Sequence, residues 1–142
     1  KHRRRQRQMC IRDSCIYYED TDSTGHVYHA AYLKFAERGR TEMLKKVLKN
    51  KINDSKYSHS FFVVSKLNIV YKKPLKLFDK IEVCTKFTSI KNVTLNLDQY
   101  ISKDNKIFSS LSVKLAYVNK HTGKPEKIES DLLTSLSKIK IV

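Results

Sequence analysis

Tyr17-Tyr-Glu-Asp-Thr-Asp-Ser-Thr-Gly-His-Val-Tyr-His-Ala-Ala-Tyr-Leu-Lys-Phe35 decides how this chain is read. The pair Tyr17 and Tyr18 favours extended structure, so Cys15 to Thr21 reads as a short strand. Carboxylates crowd its end, and Gly25 supplies the turn. From about Val27 to Lys49 the apolar period changes to three-and-four spacing at Tyr28, Ala31, Tyr32, Phe35, Ala36, Gly39, Met43, Val47 and Leu48. Lys34, Arg38, Glu42, Lys45 and Lys49 fall on the opposite side. The expectation is one amphipathic helix about 33 Å long at 1.5 Å per residue.

A carboxylate at the start of a helix faces backbone N–H groups that lack intrahelical acceptors. Those groups can hold a substrate carbonyl while the carboxylate acts on it, which is the arrangement acyl chemistry needs. The same residue types also begin helices without any catalytic role, and Ser23 or Thr24 is an N-cap candidate.

Downstream, Asn50 to Ser58 is polar and without apolar spacing, and four strand-like runs follow. In Phe61 to Tyr71, strict alternation puts Phe61, Val63, Leu67, Ile69 and Tyr71 on one face, and Pro74 ends the run. Lys80 to Ile90 aligns Ile81, Val83, Thr85 and Phe87. Val93 to Ile101 aligns Val93, Leu95, Leu97 and Ile101. Lys103-Asp104-Asn105-Lys106 reads as a hairpin turn into Ile107 to Val118, where Ile107, Leu111, Val113, Leu115 and Tyr117 alternate with Ser and Lys. A short helix is expected from about Ser130 to Ser137. One long helix and a run of antiparallel strands make an α+β class, in which the sheet buries its apolar face against the helix.

The string Tyr17 to Phe35, with Glu37-Arg38 and Arg40-Thr41-Glu42 behind it, resembles the signature of 4-hydroxybenzoyl-CoA thioesterase-like hotdog-fold proteins, in the acyl-CoA thioesterase branch associated with the Tol-Pal envelope system (YbgC-like). In that signature Thr-Asp is followed by two variable residues, Gly, a variable residue, Val and an aromatic or His-bearing pair. Thr21-Asp22, Gly25, Val27, Tyr28 and His29 supply each element. The resemblance implies a hotdog fold, a curled antiparallel sheet around one long central helix, over Cys15 to about Leu136. It also implies an acyl-CoA substrate hydrolysed to a carboxylic acid and coenzyme A, no cofactor, and a homodimer or homotetramer with subunits paired edge to edge. A noncatalytic module that binds an acyl group or an acyl carrier protein is the alternative.

By this resemblance Asp22 matches the catalytic aspartate, as general base or as nucleophile. His29 occupies the position whose backbone N–H points at the thioester oxygen. Gly25 and Val27 belong to the same motif, and Tyr28, Tyr32 and Phe61 are candidates to line the acyl chain. Lys72, Lys73 and Lys91, at expected strand ends, are candidates for the coenzyme A phosphates. Glu19, Asp20 and His26 are weaker candidates, and with Asp22 and His29 they lack the spacing of a metal motif, so no metal is expected. Glu37 reads as half of a helix-surface ion pair with Arg40. No Gly-x-Ser-x-Gly elbow is present, which disfavours serine hydrolase chemistry. Cys84 reads as strand packing.

The 142 residues bound one domain. No apolar run approaches a bilayer span and no signal-peptide core is seen, so a cytoplasmic protein is expected. Cys10, Cys15 and Cys84 form an odd set without metal spacing and are expected as free thiols. The formal charge is +15. Such a field attracts polyanions: nucleic acid, a membrane surface, coenzyme A phosphates or an acidic carrier protein. A nucleic-acid partner is not expected, because no recognition motif accompanies the charge. Residues 1–14 are expected to lie outside the domain, which then spans 15–142. Lys1 to Gln8 is basic and aperiodic, and Met9-Cys-Ile-Arg-Asp13 with the start of Ser14 is what the sequencing-library adapter ATGTGTATAAGAGACAG encodes. A non-native or disordered N-terminal segment is therefore the expectation.

Overall fold

The computed structural model describes residues 8–48 and 60–140, with side chains described for all of these except Gln8, Arg12, Asp13, Leu48, Ile139 and Lys140. Lys1 to Arg7, Lys49 and the polar segment Asn50 to Ser58 lie outside the described residues. Five antiparallel strands form one sheet in the order β1-β3-β4-β5-β2: β1 (Gln8–Cys15), β2 (Ser60–Tyr71), β3 (Lys80–Ile90), β4 (Thr94–Lys103) and β5 (Lys106–Asn119). Two helices, α1 (Ala31–Leu48) and α2 (Ser130–Lys140), complete the α+β hotdog arrangement expected.

Helix α1 packs on β1, β3 and β4, and α2 packs on β3 and α1. Ala31, Tyr32, Phe35, Ala36 and Met43 bury one stripe of α1 against Ile81, Val83, Phe87, Leu95, Leu97 and Ile101. Gly39 permits a close approach to β3: a Cβ there would meet Val83 Cγ1 at 2.6 Å. Beside it Arg40 is buried, and its Nη1 donates to Gln99 Oε1 at 2.9 Å. Gln99 Nε2 donates in turn to the Ala36 carbonyl at 2.8 Å and to Thr85 Oγ1 at 3.0 Å. The expected Glu37–Arg40 surface pair is thus corrected. Arg40 turns inward to a neutral partner, burial lowers its pKa, and exposed Glu37 opposes that shift only as a nearby charge.

Several expectations need correction. The first strand is Gln8–Cys15 rather than Cys15 to Thr21, so residues 8–14, expected outside the domain, form the edge strand, and Tyr18–Asp20 is one turn of 3-10 helix. Edge pairing draws on main-chain groups that every non-proline residue carries, so a basic, aperiodic composition does not prevent it. Antiparallel register sets Cys10 opposite Cys84 with Cα atoms 4.0 Å apart, and the two form a disulfide where free thiols were expected; Cys15 is free. The central helix begins at Ala31, four residues later than expected, because residues 21–27 close a small loop through a Thr21–Val27 bridge. On β2, two residues oppose one on β5 between Val64 and Lys66. This bulge switches the inward series from Phe62 and Val64 to Leu67, Ile69 and Tyr71, which stand opposite Tyr117, Leu115, Val113, Leu111 and Ser109. Phe61 and Val63 therefore face away from the series they were grouped with.

The expected alternation holds in β3, with Thr85 buried beside Ile81, Val83 and Phe87, in β4 at Leu95, Leu97 and Ile101, and in β5 at Leu111, Val113, Leu115 and Tyr117. Ile107, expected on the inner face, is 39% exposed, and Val93 precedes the start of β4. The hairpin at Asp104 and Asn105 has both residues at positive φ, 50° and 63°. That is the conformation a two-residue turn between twisted strands requires. In α2, Leu132 and Leu136 are buried.

Candidate active site

Asp22 opens a tight loop. Its N–H donates to the His26 carbonyl at 2.8 Å, and its carbonyl accepts from the Gly25 N–H at 3.2 Å. Gly25 adopts φ +83°, the left-handed region that only glycine enters freely. The Asp22 carboxylate lies at the surface, where Oδ1 accepts both the Thr24 hydroxyl at 2.6 Å and the Thr24 N–H at 2.8 Å. Those two donors outweigh the desolvation that opposes them and, with a lesser contribution from nearby His26 in the same direction, hold the Asp22 carboxyl below its ordinary range. Thr24 Oγ1 also lies 2.9 Å from His26 Nδ1. Thr24 is thus committed to Asp22 and caps no helix, and Ser23 lies in the same loop, far ahead of Ala31. Asx-type bonding of this kind is the local alternative that Asp offers a turning backbone.

Asp20 behaves differently. It is buried, its Oδ2 accepts the Tyr17 N–H at 3.0 Å, and its Oδ1 has no partner among the described residues. It supports the loop from beneath while Asp22 meets solvent. Glu19 is exposed.

The loop is clamped to the segment 72–79. Val27 donates to the Leu75 carbonyl at 2.9 Å, Leu77 to the Gly25 carbonyl at 3.4 Å, and His26 bridges to Lys76. Tyr32, buried on the first turn of α1, accepts the Leu75 N–H at its hydroxyl at 3.0 Å and packs edge-on against Tyr71 at 5.1 Å. Tyr71 donates its hydroxyl to the His29 carbonyl at 2.8 Å. Tyr28 is exposed and rests on the His29 ring at 4.4 Å. Ala31 N–H donates to the Tyr28 carbonyl at 2.9 Å, closing a turn whose central residues are His29 and Ala30. The N–H groups of His29 and Ala30 have no acceptor among the described residues.

Asp22, Gly25, Val27, Tyr28, His29 and Tyr32 therefore share one end of the sheet. Lys72 and Lys73 belong to the same end; both N–H groups donate to the Phe108 carbonyl, and Lys73 Nζ lies 5.9 Å from the Phe108 ring centroid. Phe61 and Lys91 are not brought in. Phe61 lies ten residues from Tyr71 along β2, roughly 33 Å in extended chain, and pairs with Val118. Lys91 sits in the β3–β4 turn, where its N–H donates to the Thr94 carbonyl, at that same far end. Position at a strand end does not by itself say which end of the sheet carries the motif.

Sequence reasoning missed Tyr71 and Leu75 as the partners that hold the loop, and Lys76 beside His26. An aromatic residue on the inner face just before Lys72-Lys-Pro74 was the available signal for Tyr71. Among the described residues, the metal-capable group is Cys10, Glu82 and Cys84, apart from Asp22 and His29; its two sulfurs are bonded to each other.

A second feature lies further along α1. Arg40, Thr41 and Leu44 face Phe62, Val64 and Leu115 across a cavity of about 370 Å³. Val64 is 46% exposed although it points inward, because α1 leaves this part of β2 uncovered.

The family model described as the thioesterase-like superfamily matches residues 17–136. Acyl-CoA thioesterase YbgC of Haemophilus influenzae is 34% identical over 125 residues, which cover 88% of this chain and 92% of that protein. Acyl-CoA thioester hydrolase YbgC of Escherichia coli O6:H1 is 32% identical over 130 residues, covering 83% and 88%. Among solved structures, a probable thioesterase from Bartonella henselae superposes with a TM-score of 0.70 at 29% identity, over 87% of this chain and 98% of that one.

Proposed function

Because this chain belongs to the thioesterase-like superfamily, and is a thioester hydrolase of the YbgC kind, we propose that it hydrolyses acyl-CoA thioesters through Asp22 and the amide of His29. The support for the mechanism is an exposed, ionised carboxylate at the same end of the sheet as an amide that has no acceptor among the described residues, ahead of the first turn of α1. The thioester carbonyl oxygen accepts the His29 N–H, which favours the charge that develops there. Asp22 removes a proton from water as the water oxygen bonds to the acyl carbon. Collapse of that adduct breaks the C–S bond, and the departing thiolate of coenzyme A takes up the proton. In a covalent variant, an Asp22 oxygen bonds to the acyl carbon as the C–S bond breaks and the thiolate of coenzyme A leaves; water then cleaves the mixed anhydride to the free acid and the Asp22 carboxylate, and the proton it gives up goes to the thiolate. Neither route calls for a metal or an organic cofactor.

Lys72 and Lys73 supply positive charge for the coenzyme A phosphates, and Tyr28 and Tyr32 border the reacting group. The acyl chain runs along α1 toward the cavity beside Arg40, roughly 16 Å from His29 at 1.5 Å per residue. That cavity is lined by β2, whose outer edge has no partner strand among the described residues. A second copy added at this edge would cover Phe62 and Val64, which supports a homodimer. Phe61 would then serve subunit contact rather than the acyl chain of its own subunit.

Thiol release from straight-chain, branched and aromatic acyl-CoAs tests the substrate class, and absence of release from every one of them would overturn it. Sedimentation should give at least twice the 16.6 kDa chain mass. A monomer with full turnover would remove the dimer from the scheme.

A further inference from the structure

We propose that Tyr71 is a positioning residue for carbonyl activation, and that it sets the Ala30 amide as a second donor to the thioester oxygen beside the His29 amide. The inference rests on the thioesterase reading and extends it to residues outside the sequence motif.

A trans peptide unit is planar, so its C=O and N–H point in opposite directions and fixing one fixes the other. Two consecutive units lie at the mouth of α1. In the first, the Tyr28 carbonyl is held by the Ala31 N–H at 2.9 Å, which fixes the His29 N–H at its other end. In the second, the His29 carbonyl is held by the Tyr71 hydroxyl at 2.8 Å, which fixes the Ala30 N–H. Both amides are without acceptors among the described residues, while the carbonyls behind them are tied down. The two ties differ in kind. One is local to the helix turn, whereas the other comes from β2, 42 residues away in sequence.

Tyr71 is itself held. Its ring meets Tyr32 edge-on at 5.1 Å, and the Tyr32 hydroxyl is engaged by the Leu75 N–H. Partial burial pushes the Tyr71 hydroxyl above its ordinary pKa, so it stays protonated and able to donate at neutral pH. Donation into the His29 carbonyl also polarises that peptide unit, which strengthens its N–H as a donor. A free amide at a helix start is otherwise at liberty to rock toward solvent. Held from behind, it is set before substrate arrives, which is the condition under which such donors accelerate a reaction.

The test is Tyr71→Phe, which keeps the ring against Tyr32 and removes only the hydroxyl. Deleting an oxyanion donor outright costs about 10²–10³ in kcat, and loosening one of two donors should cost on the order of tenfold. Melting temperature should stay near wild type, and KM should rise by no more than the factor by which ketone affinity falls. Two nonreacting ligands separate positioning from packing: an acyl-CoA thioether, which lacks the carbonyl, and a ketone analogue with CH2 in place of sulfur, which keeps it. Tyr71→Phe should bind the thioether as wild type does and the ketone more weakly, and the Ala30 amide 15N resonance should move. Turnover within twofold of wild type in the folded variant, or equal loss of affinity for both analogues, overturns the role of Tyr71. Absence of turnover in the wild type overturns the thioesterase reading beneath it, so the two failures are distinguishable.

Discussion

Gly39→Ala sets helix propensity against packing, and the structure decides the sign. Alanine is favoured over glycine in a helix interior by about 1 kcal/mol. At this position, however, the new Cβ would stand 2.6 Å from Val83 Cγ1 and 3.3 Å from Gln99 Nε2. Val83 is a β-branched residue buried on β3, with little rotamer freedom to retreat. Relief must come from a shift of α1 away from the sheet, and overpacking of this kind costs about 1–3 kcal/mol. The shift also stretches the bonds that Gln99 makes to Ala36, Thr85 and Arg40. Weakening one of these buried bonds adds about 1 kcal/mol. Set against the propensity gain, the net loss is roughly 1–3 kcal/mol. Unfolding entropy of about 2.1 cal/mol/K per residue over this chain gives roughly 0.3 kcal/mol/K, so Tm should fall by about 3–10 °C. Differential scanning calorimetry at a fixed protein concentration makes the comparison, since association shifts Tm with concentration. A variant as stable as wild type, or more so, would refute the reasoning that α1 and β3 are in contact limited by glycine.

Asp22→Asn should lower kcat by about 10²–10⁴ with the circular dichroism spectrum unchanged, because the amide oxygen still accepts the Thr24 N–H while the base is gone; a folded variant keeping more than about a tenth of wild-type turnover would argue against a catalytic Asp22. Lys103 Nζ and Asp79 Oδ1 form an ion pair at 2.8 Å. Burial pushes the Asp79 carboxyl up, but donors from Lys103 and the Lys76 N–H outweigh it and leave it lowered, while Lys103 is raised by Asp79 against a smaller desolvation. The stability contributed through Asp79 is therefore complete above its ordinary 3.8 and lost as pH falls through the lower folded value; that through Lys103 is complete below 10.5 and lost as pH rises through the higher folded value. The Tm gap between wild type and Asp79→Asn should be widest near neutrality and close at both extremes, and a gap independent of pH would count against the pair. Reduction of the Cys10–Cys84 bond removes the cross-link between β1 and β3, and removal of residues 1–14 exposes the outer edge of β3, so each should lower Tm; an unchanged Tm after the truncation would mean that β1 contributes little to the folded domain.

The fold was legible because its two periodicities are clean. Three-and-four spacing marked α1, and two-residue spacing marked β3, β4 and β5. Where expectation and structure part, a single local event breaks a period. The bulge after Val64 reverses alternation halfway along β2, and no composition signal announces it, so Phe61 and Val63 were assigned to the wrong face. The loop between Thr21 and Val27 shortens the helix because its hydrogen bonds run to residues 72–79, contacts that exist only after the chain has folded back. The motif placed Asp22, Gly25, Val27, Tyr28 and His29 together because they are neighbours in sequence. Phe61 and Lys91 went astray since strand-end residues divide between two ends of a sheet, and only connectivity tells which end is which. Arg40 looked like a surface partner of Glu37 because charge is normally exposed. Its burial depends on Gln99, 59 positions away.

The bulge on β2 also sets where this chain can change length. Across it, Val64 stands opposite Leu115 and Lys66 opposite Lys114, so Ser65 is the residue without a ladder position of its own, held by its hydroxyl to the Lys114 carbonyl at 3.2 Å. Excising Ser65 would leave Val64 and Lys66 adjacent, with every pairing on either side kept and with Leu67, Ile69 and Tyr71 still pointing inward. Excising Asn68, three residues on, would instead turn Ile69 and Tyr71 outward and take the Tyr71 hydroxyl away from His29. One strand thus holds, a few residues apart, a position indifferent to a codon's loss and a position where the same loss would unseat the active site.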